Sequence, residues 1–429
     1  MKRSQAPLLV LVLSASACSG SSPEEHSPTY HRDAKAVLNR YCNDCHQLGG
    51  IAPFALTDYA TARQHAPAIR DAVEAGRMPP WMPSDAGVPL AYSRKMRPQD
   101  RQLLLRWIEL GAPEGDPAEP PRQDIPPLPT VQPPRPDLVL QAPEVYVPQA
   151  GRADDYRCFV FDPKLEQDVF VQAGMVRPDN RAIVHHVLVF EVPAESAQRV
   201  RDKDAAEPGL GYTCFGGPGG GWSVRTVMGW APGGVPQRTA NGIALRLRKG
   251  SLLVMQVHYN LINFKGVGDR TETVLELSPT PPQKEAFLVP LANPRELKIK
   301  AGDPEAKQVV SVPVGLIQSF LRWPPGEMTV WANAPHMHLL GTRIVTLVED
   351  GPILVEIPRW DFHWQASYTF QEPYVLRQSD TLRVECTWDN SAANPNQHTH
   401  PPRDITWGEG TTDEMCLSYL LITPGGLSP

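Results

Sequence analysis

Asn333–Arg343 reads NAPHMHLLGTR, and the chain can be read outward from it. The run before the two histidines is apolar and β-branched (MTVWA, Met328–Ala332), which predicts a strand. Side chains of a strand alternate, so His336 and His338, two apart, leave one face. That is the geometry two ligands of one metal ion require. Two unrelated strand histidines, one partly buried and one wet, would read the same way, so the surrounding sequence has to discriminate.

Around this stretch the texture is that of an all-β protein. Asp168–Gln172, Ile183–Val192, Leu252–Tyr259, Ile344–Val348 and Thr381–Thr387 are short strand-like runs separated by Gly, Pro, Asn and Asp. They predict two all-β, jelly-roll-like sandwiches, residues 137–281 and 282–429, divided near Pro279–Pro282. In the first, Ala182–Phe190 reads AIVHHVLVF. Strict alternation sends His185 and His186 to opposite faces. Both reach one ion only if the strand is twisted or bulged there. His258, in LLVMQVHYN, offers a third imidazole for a nitrogen-rich copper or zinc site. In the second sandwich, TTDEMC (Thr411–Cys416) presents Met415, whose thioether is either a soft donor favouring Cu(I) or core filler.

The N-terminal third differs. Lys2 and Arg3, an apolar run Ala6–Leu13 and the small residues before Cys18 read as an export signal over residues 1–18. It resembles a bacterial lipoprotein signal, with Ala15 where leucine is usual. The alternative is an ordinary cleaved signal peptide. Residues 19–27 read as a tether. Both readings export the protein, and the lipoprotein reading anchors it in the bacterial cell envelope, facing the periplasm or exterior.

Within residues 28–115, YCNDCH (Tyr41–His46) carries C-x-x-C-H, the attachment signature of covalent haem c. Cys42 and Cys45 would bond the porphyrin and His46 the iron. A dithiol or half a zinc site are the other readings, but this segment has no further cysteine. Met78, before Pro79 and Pro80, is the candidate sixth ligand; Met82, Met96, His65 or an open position are the alternatives. Asp33–Tyr41, Ala60–Ala75 and Pro98–Leu110 are predicted helices. With RMPPW and RWIELGAP, the segment resembles a small bacterial cytochrome c. Residues 116–136 are too proline-rich for helix or sheet and read as a semi-rigid linker, extended or laid along a surface.

Composition narrows the function. The 429 residues carry a net charge of −6 without a basic block, which argues against nucleic acid. Of seven cysteines, four remain once Cys18, Cys42 and Cys45 are assigned. Four cysteines allow three pairings. Cys158–Cys214 with Cys386–Cys416 is favoured because each pair stays within one half of the β region.

HH, HYN, HMH and DEMC, in that order, resemble the copper type II, ascorbate-dependent monooxygenases. The resemblance implies two β-sandwich subdomains, each holding one copper ion across a solvent-filled cleft. It implies an electron-storing copper on His185, His186 and His258. It implies an oxygen- and substrate-binding copper on His336, His338 and Met415, with Cys386–Cys416 beside the methionine. The peptide-amidating members grip a substrate carboxylate at positions that here are Ala334, Leu417 and Tyr419, so that grip is largely gone. The expectation is a small organic substrate hydroxylated with O2. Electrons would come from an ascorbate-like donor or a periplasmic carrier through the haem. The competing expectation is a non-hydroxylating haem/copper electron-transfer or copper-handling lipoprotein.

Overall fold

A computed structural model describes residues 27–427, apart from 49–51, 128–130, 220, 222, 223, 233 and 263. The expected signal, Cys18 and nearly all of the tether lie outside the described residues. Among the described residues no helix is long and apolar enough to cross a membrane.

The helical segment builds its own small core. A π-helical turn, Tyr30–Ala34, runs into the helix Lys35–Tyr41, and Pro98–Glu109 packs Leu104, Trp107 and Ile108 against Tyr30, Val37 and Leu38. The expected helix 60–75 is two, Tyr59–Gln64 and Ala66–Glu74. Pro67 explains the break, because it lacks an N–H and is tolerated in a first turn but not in an interior. Asp100 ties the core together, accepting from Tyr41 Oη (2.7 Å) and Arg97 Nε (2.7 Å). The linker lies along this segment: the backbone N–H of Arg122 donates to the carbonyl of Arg32 (2.9 Å), and Ile125 packs on the core.

The rest of the chain is β. A nine-stranded sheet runs through both halves in the order Tyr368–Leu376, Met328–His336, Leu417–Pro424, Phe287–Ala292, Arg225–Trp230, Val184–Val192, Leu252–Asn260, Asp154–Phe161, Tyr212–Thr213. A six-stranded sheet built around Val169–Arg177 covers the first half, with Val187, Val189, Met255, Val257 and Leu275 between. A four-stranded sheet, Ala306–Pro313 to Ile353–Ile357, covers the second over Met328, Val330, Ile344, Val384 and Leu420. Each half is thus a sandwich-type pair of sheets with polar residues turned outward. Residues just past Pro282 still belong to the first half, since Lys284–Glu285 pairs with Ile243–Ala244. Cys158–Cys214 and Cys386–Cys416 are both bonded, the pairing expected from the sequence. Two helices the strand pattern did not predict, Ala194–Ala206 and Val314–Leu321, lie on the surface of the β region.

The helical segment is seated on the second half through residues 81–92. Ser84 Oγ donates to Glu356 (2.7 Å), and Ala91 N–H to the carbonyl of Thr369 (2.9 Å). Gly87 pairs with Ile353, and a Cβ there would stand 2.8 Å from the carbonyl of Leu354, so the approach requires glycine. Arg359 reaches back to the carbonyls of Ala75 (3.0 Å) and Gly76 (3.1 Å), just before Met78.

Candidate metal centre

The strand Val184–Val192 resolves the difficulty posed by adjacent histidines. Val184 stands opposite Tyr259, but His186 stands opposite His258, so the register slips by one residue and His185 is the extra residue of a bulge. The bulge turns His185 and His186 toward the same space, which His258 enters from the neighbouring strand. The nitrogens converge: Nδ1 of His186 lies 3.3 Å from Nδ1 of His185 and 3.2 Å from Nδ1 of His258. One ligand atom from each ring lies within 4.8 Å of the others. Burial, reinforced by the neighbouring imidazoles, holds His185 and His186 well below the ordinary histidine value. Neutral rings with converging lone pairs are what a metal ion requires. His185 Nε2 is buried and has no hydrogen-bond partner among the described residues.

The other face of His258 is held from outside. Its Nε2–H donates to Asp154 (2.8 Å), which also accepts from Thr411 Oγ1 (2.5 Å) and Thr411 N–H (3.2 Å). Burial would raise Asp154, but the hydrogen bonds from His258 and Thr411 prevail and lower it, so it is a carboxylate. This fixes the tautomer that leaves Nδ1 of His258 free.

His336 ends its strand, and His338 follows in the turn that leads to Gly341. Here the pattern is reversed. Nδ1–H of His336 faces Gln365 Oε1 (2.6 Å), and Nδ1–H of His338 faces the carbonyl of Asp413 (3.0 Å). Both rings therefore offer Nε2. Their centroids are 5.1 Å apart. Burial pushes His336 down to about 4 and His338 to about 3, so both are neutral at ordinary pH.

The segment bearing Met415 is bolted to these histidines. Glu414 is fully buried and accepts from the backbone N–H of His338 (3.0 Å) and Leu340 (2.6 Å) and from Trp388 Nε1 (2.8 Å). Met415 is buried, the next residue is the disulfide Cys416, and Leu417 stands opposite His336 in the sheet.

The cleft expected between the two ligand groups is closed. Rings of His186 and His336 are 6.1 Å apart, and Phe362 stacks on His185 (4.2 Å) while meeting His338 edge-on (6.0 Å). The halves are clamped across this space by Thr411 on Asp154 and by Tyr156 Oη on the carbonyl of Glu409. Asp154, Gln365, Phe362 and Glu414 escaped the sequence reading. They act through position, and no local spacing marks a carboxylate that stands 104 residues from its histidine.

In the helical segment Cys42 and Cys45 are unbonded thiols in the turn that ends Lys35–Tyr41, and burial pushes Cys42 up to about 12. His46 turns Nδ1–H toward the carbonyl of Phe54 (3.1 Å), which leaves Nε2 available. Met78 is half-exposed.

Residues 320–424 match the model of the copper type II ascorbate-dependent monooxygenase, C-terminal domain. DBH-like monooxygenase protein 1 of Gallus gallus is 24% identical over 296 residues, 65% of this chain and 46% of that protein. Dopamine beta-hydroxylase of Canis lupus familiaris is 33% identical over 108 residues, 24% of this chain and 16% of that protein. The chain spans less than half the length of either. Among solved structures, PNGF-II aligns over 68% of this chain and 65% of that one at 8% identity, with a TM-score of 0.26, too low to carry an argument. The part of the chain that presents His336, His338 and Met415 is thus similar to the C-terminal domain of the copper type II ascorbate-dependent monooxygenases.

Proposed function

We propose that this chain is a copper-dependent monooxygenase that hydroxylates a C–H bond of a small organic substrate with O2 and draws electrons through a covalent haem c on residues 28–115. One observation carries the reading. The histidines are sorted by nitrogen, with Nδ1 atoms converging in one group and Nδ1–H groups turned outward onto oxygen acceptors in the other. An ordinary buried imidazole also donates its N–H to an oxygen; what a metal-free core has no need of is three Nδ1 atoms brought together, at 3.3 Å and 3.2 Å from the central one. Copper bound to His185, His186 and His258, and to His336, His338 and Met415, would supply one-electron transfer and oxygen activation.

The chain's own residues prepare that chemistry. Asp154 and Gln365 hold the tautomers, and burial keeps the rings neutral. Phe362 and the closed seam keep bulk water from the ring faces. Glu414 ties the segment that carries Met415 to the backbone of His338 and Leu340. The donor set of Cys42, Cys45 and His46, with Met78 as the candidate sixth ligand, fits a covalent haem, and Arg359 fastens the Met78 loop to the copper-binding half. On this reading residues 1–18 export the chain, Cys18 carries a lipid anchor in the cell envelope, and an ascorbate-like donor or periplasmic carrier reduces it.

The test is metal analysis with oxygen uptake. Two copper ions and one haem are expected per chain, with substrate-dependent oxygen uptake supported by ascorbate or a reduced carrier. Met415→Ala should lose that uptake. Unchanged uptake in the variant removes the role of Met415. Copper at both sites with no product would turn the assignment to electron transfer or copper handling.

A further inference from the structure

Two ring contacts lead outward from the first histidine group. Tyr156 lies flat on His258, with centroids 4.1 Å apart and planes 9° apart, and also meets His186 at 6.3 Å. Phe215 meets Tyr156 edge-on at 5.3 Å. Tyr156 is 4% exposed. Phe215 is 57% exposed. A chain of rings thus runs from solvent to two of the three histidines, with one buried ring between.

Exposure alone would say little, since single apolar side chains are common on surfaces. The position is what counts, and the backbone fixes it. Tyr212–Thr213 pairs with Arg157–Cys158, next to Tyr156. The N–H of Cys214 donates to the carbonyl of Tyr156 (3.0 Å), and Cys214 is bonded to Cys158. Phe215 follows directly, so its ring is held against Tyr156 and offers a stacking face to solvent.

The same loop is bordered by cations. Lys203 lies over Gly219, where a Cβ would stand 2.7 Å from Cε of the lysine, and Arg199 lies beside Gly221 at 3.3 Å. Arg201 on that helix is paired with Asp162 (2.8 Å), whereas Arg199 and Lys203 are exposed and pair with no carboxylate among the described residues. Glu207, which accepts from the N–H of Thr213 (2.9 Å), is neutralised by Arg157 (2.7 Å). The local balance favours an anion.

We infer that Phe215 is the docking face for a small, planar, anionic one-electron donor of the ene-diol class, and that the electron passes through the rings of Phe215 and Tyr156 to the metal ion held by His185, His186 and His258. This rests on the copper reading above and adds an entry separate from the haem. The donor gives up one electron and, as its radical forms, one proton to water. The cupric ion takes the electron and becomes cuprous, and both rings end unchanged.

The test follows the cupric signal by freeze-quench electron paramagnetic resonance as the oxidised haem- and copper-loaded protein meets ascorbate without oxygen. Haem absorbance is the internal control, and His336→Ala supplies a background in which the second site is emptied. Copper reduction should saturate with ascorbate. Phe215→Ser should raise the half-saturating concentration by roughly 2- to 10-fold, the worth of one aromatic stacking contact. Arg199→Glu with Lys203→Glu should also raise it, while speeding reduction by hexaammineruthenium(II), a cation. Tyr156→Leu, checked for full copper content, should lower the limiting rate, and Tyr156→Phe should keep it. Haem reduction should be the same in every variant. Copper reduction unchanged by both Phe215→Ser and the charge reversal overturns the proposal, as does a slowing that copper and haem share. Slowing with reduced cytochrome c as donor but not with ascorbate also overturns it and makes the patch a protein-docking face. The expected pattern in a protein that never consumes oxygen keeps the port and removes the oxygenase reading.

Discussion

Asp154 lies outside both groups of ring nitrogens, yet it should govern the first. In Asp154→Asn the carboxamide can turn two ways. With its oxygen toward His258 and Thr411 Oγ1, its NH2 faces the Thr411 N–H, and two donors meet. Turned over, the NH2 meets His258 Nε2–H and drives that proton to Nδ1, the nitrogen that faces His186. The first orientation is the less damaging. It exchanges charge-assisted hydrogen bonds worth about 1.5–3 kcal/mol for neutral ones worth about 0.5–1.5, and leaves one buried donor unsatisfied. The loss is on the order of 1–3 kcal/mol, roughly 10- to 100-fold in affinity, the range seen when the outer partner of a metal-binding histidine is removed. Copper titration of the apoprotein against a competing chelator should show that loss in one of two sites, with the site of His336 and His338 unchanged. Both sites binding within twofold of the parent would refute the view that Asp154 selects the His258 tautomer.

Gln365→Leu frees His336 Nδ1, bonded at 2.6 Å, and should lower kcat by about 10- to 100-fold, with Gln365→Glu, which keeps the acceptor, recovering most of it. Replacing Cys386 and Cys416 together by serine opens a loop of separation 30 and should remove about 3–4 kcal/mol of stability in denaturant unfolding, with loss of copper from the Met415 site. Asp100 is raised by burial but lowered further by Arg97 and Tyr41, so its folded value lies below the ordinary 3.8. Its contribution is therefore complete above that range and disappears as pH falls through the folded value. Asp100→Asn should destabilise the helical segment by roughly 1–3 kcal/mol at pH 7 and flatten the acid limb of its melting curve below about pH 4.

The strands around His185, His258 and His336 were legible because alternation and β-branched runs are local signals. The bulge at His185 was legible as a requirement, since two adjacent ligands demand it, but its register depends on Tyr259 and His258 across the sheet. Counting left three disulfide pairings, and keeping each pair within one half of the β region picked the one observed. The closed seam did not follow, because it depends on Thr411, Tyr156 and Phe362 reaching groups hundreds of residues away. The helix break at His65 is readable from Pro67, whose missing N–H is tolerated in a first turn and not in a helix interior.

The nine-stranded sheet has an uneven weave. Phe287–Ala292 is zipped to its own half along its whole length, from Phe287↔Ile422 to Ala292↔Leu417, but is stitched to the other half at Leu288↔Thr226 alone. A ribbon joined at one rung pivots there more readily than it stretches. Rotation at that rung would change the gap between His186 and His336 while leaving each set of donors intact. On the proposed reading, the separation of the two donor sets would then follow from that rung and from how firmly Thr411 and Tyr156 hold the leaves together.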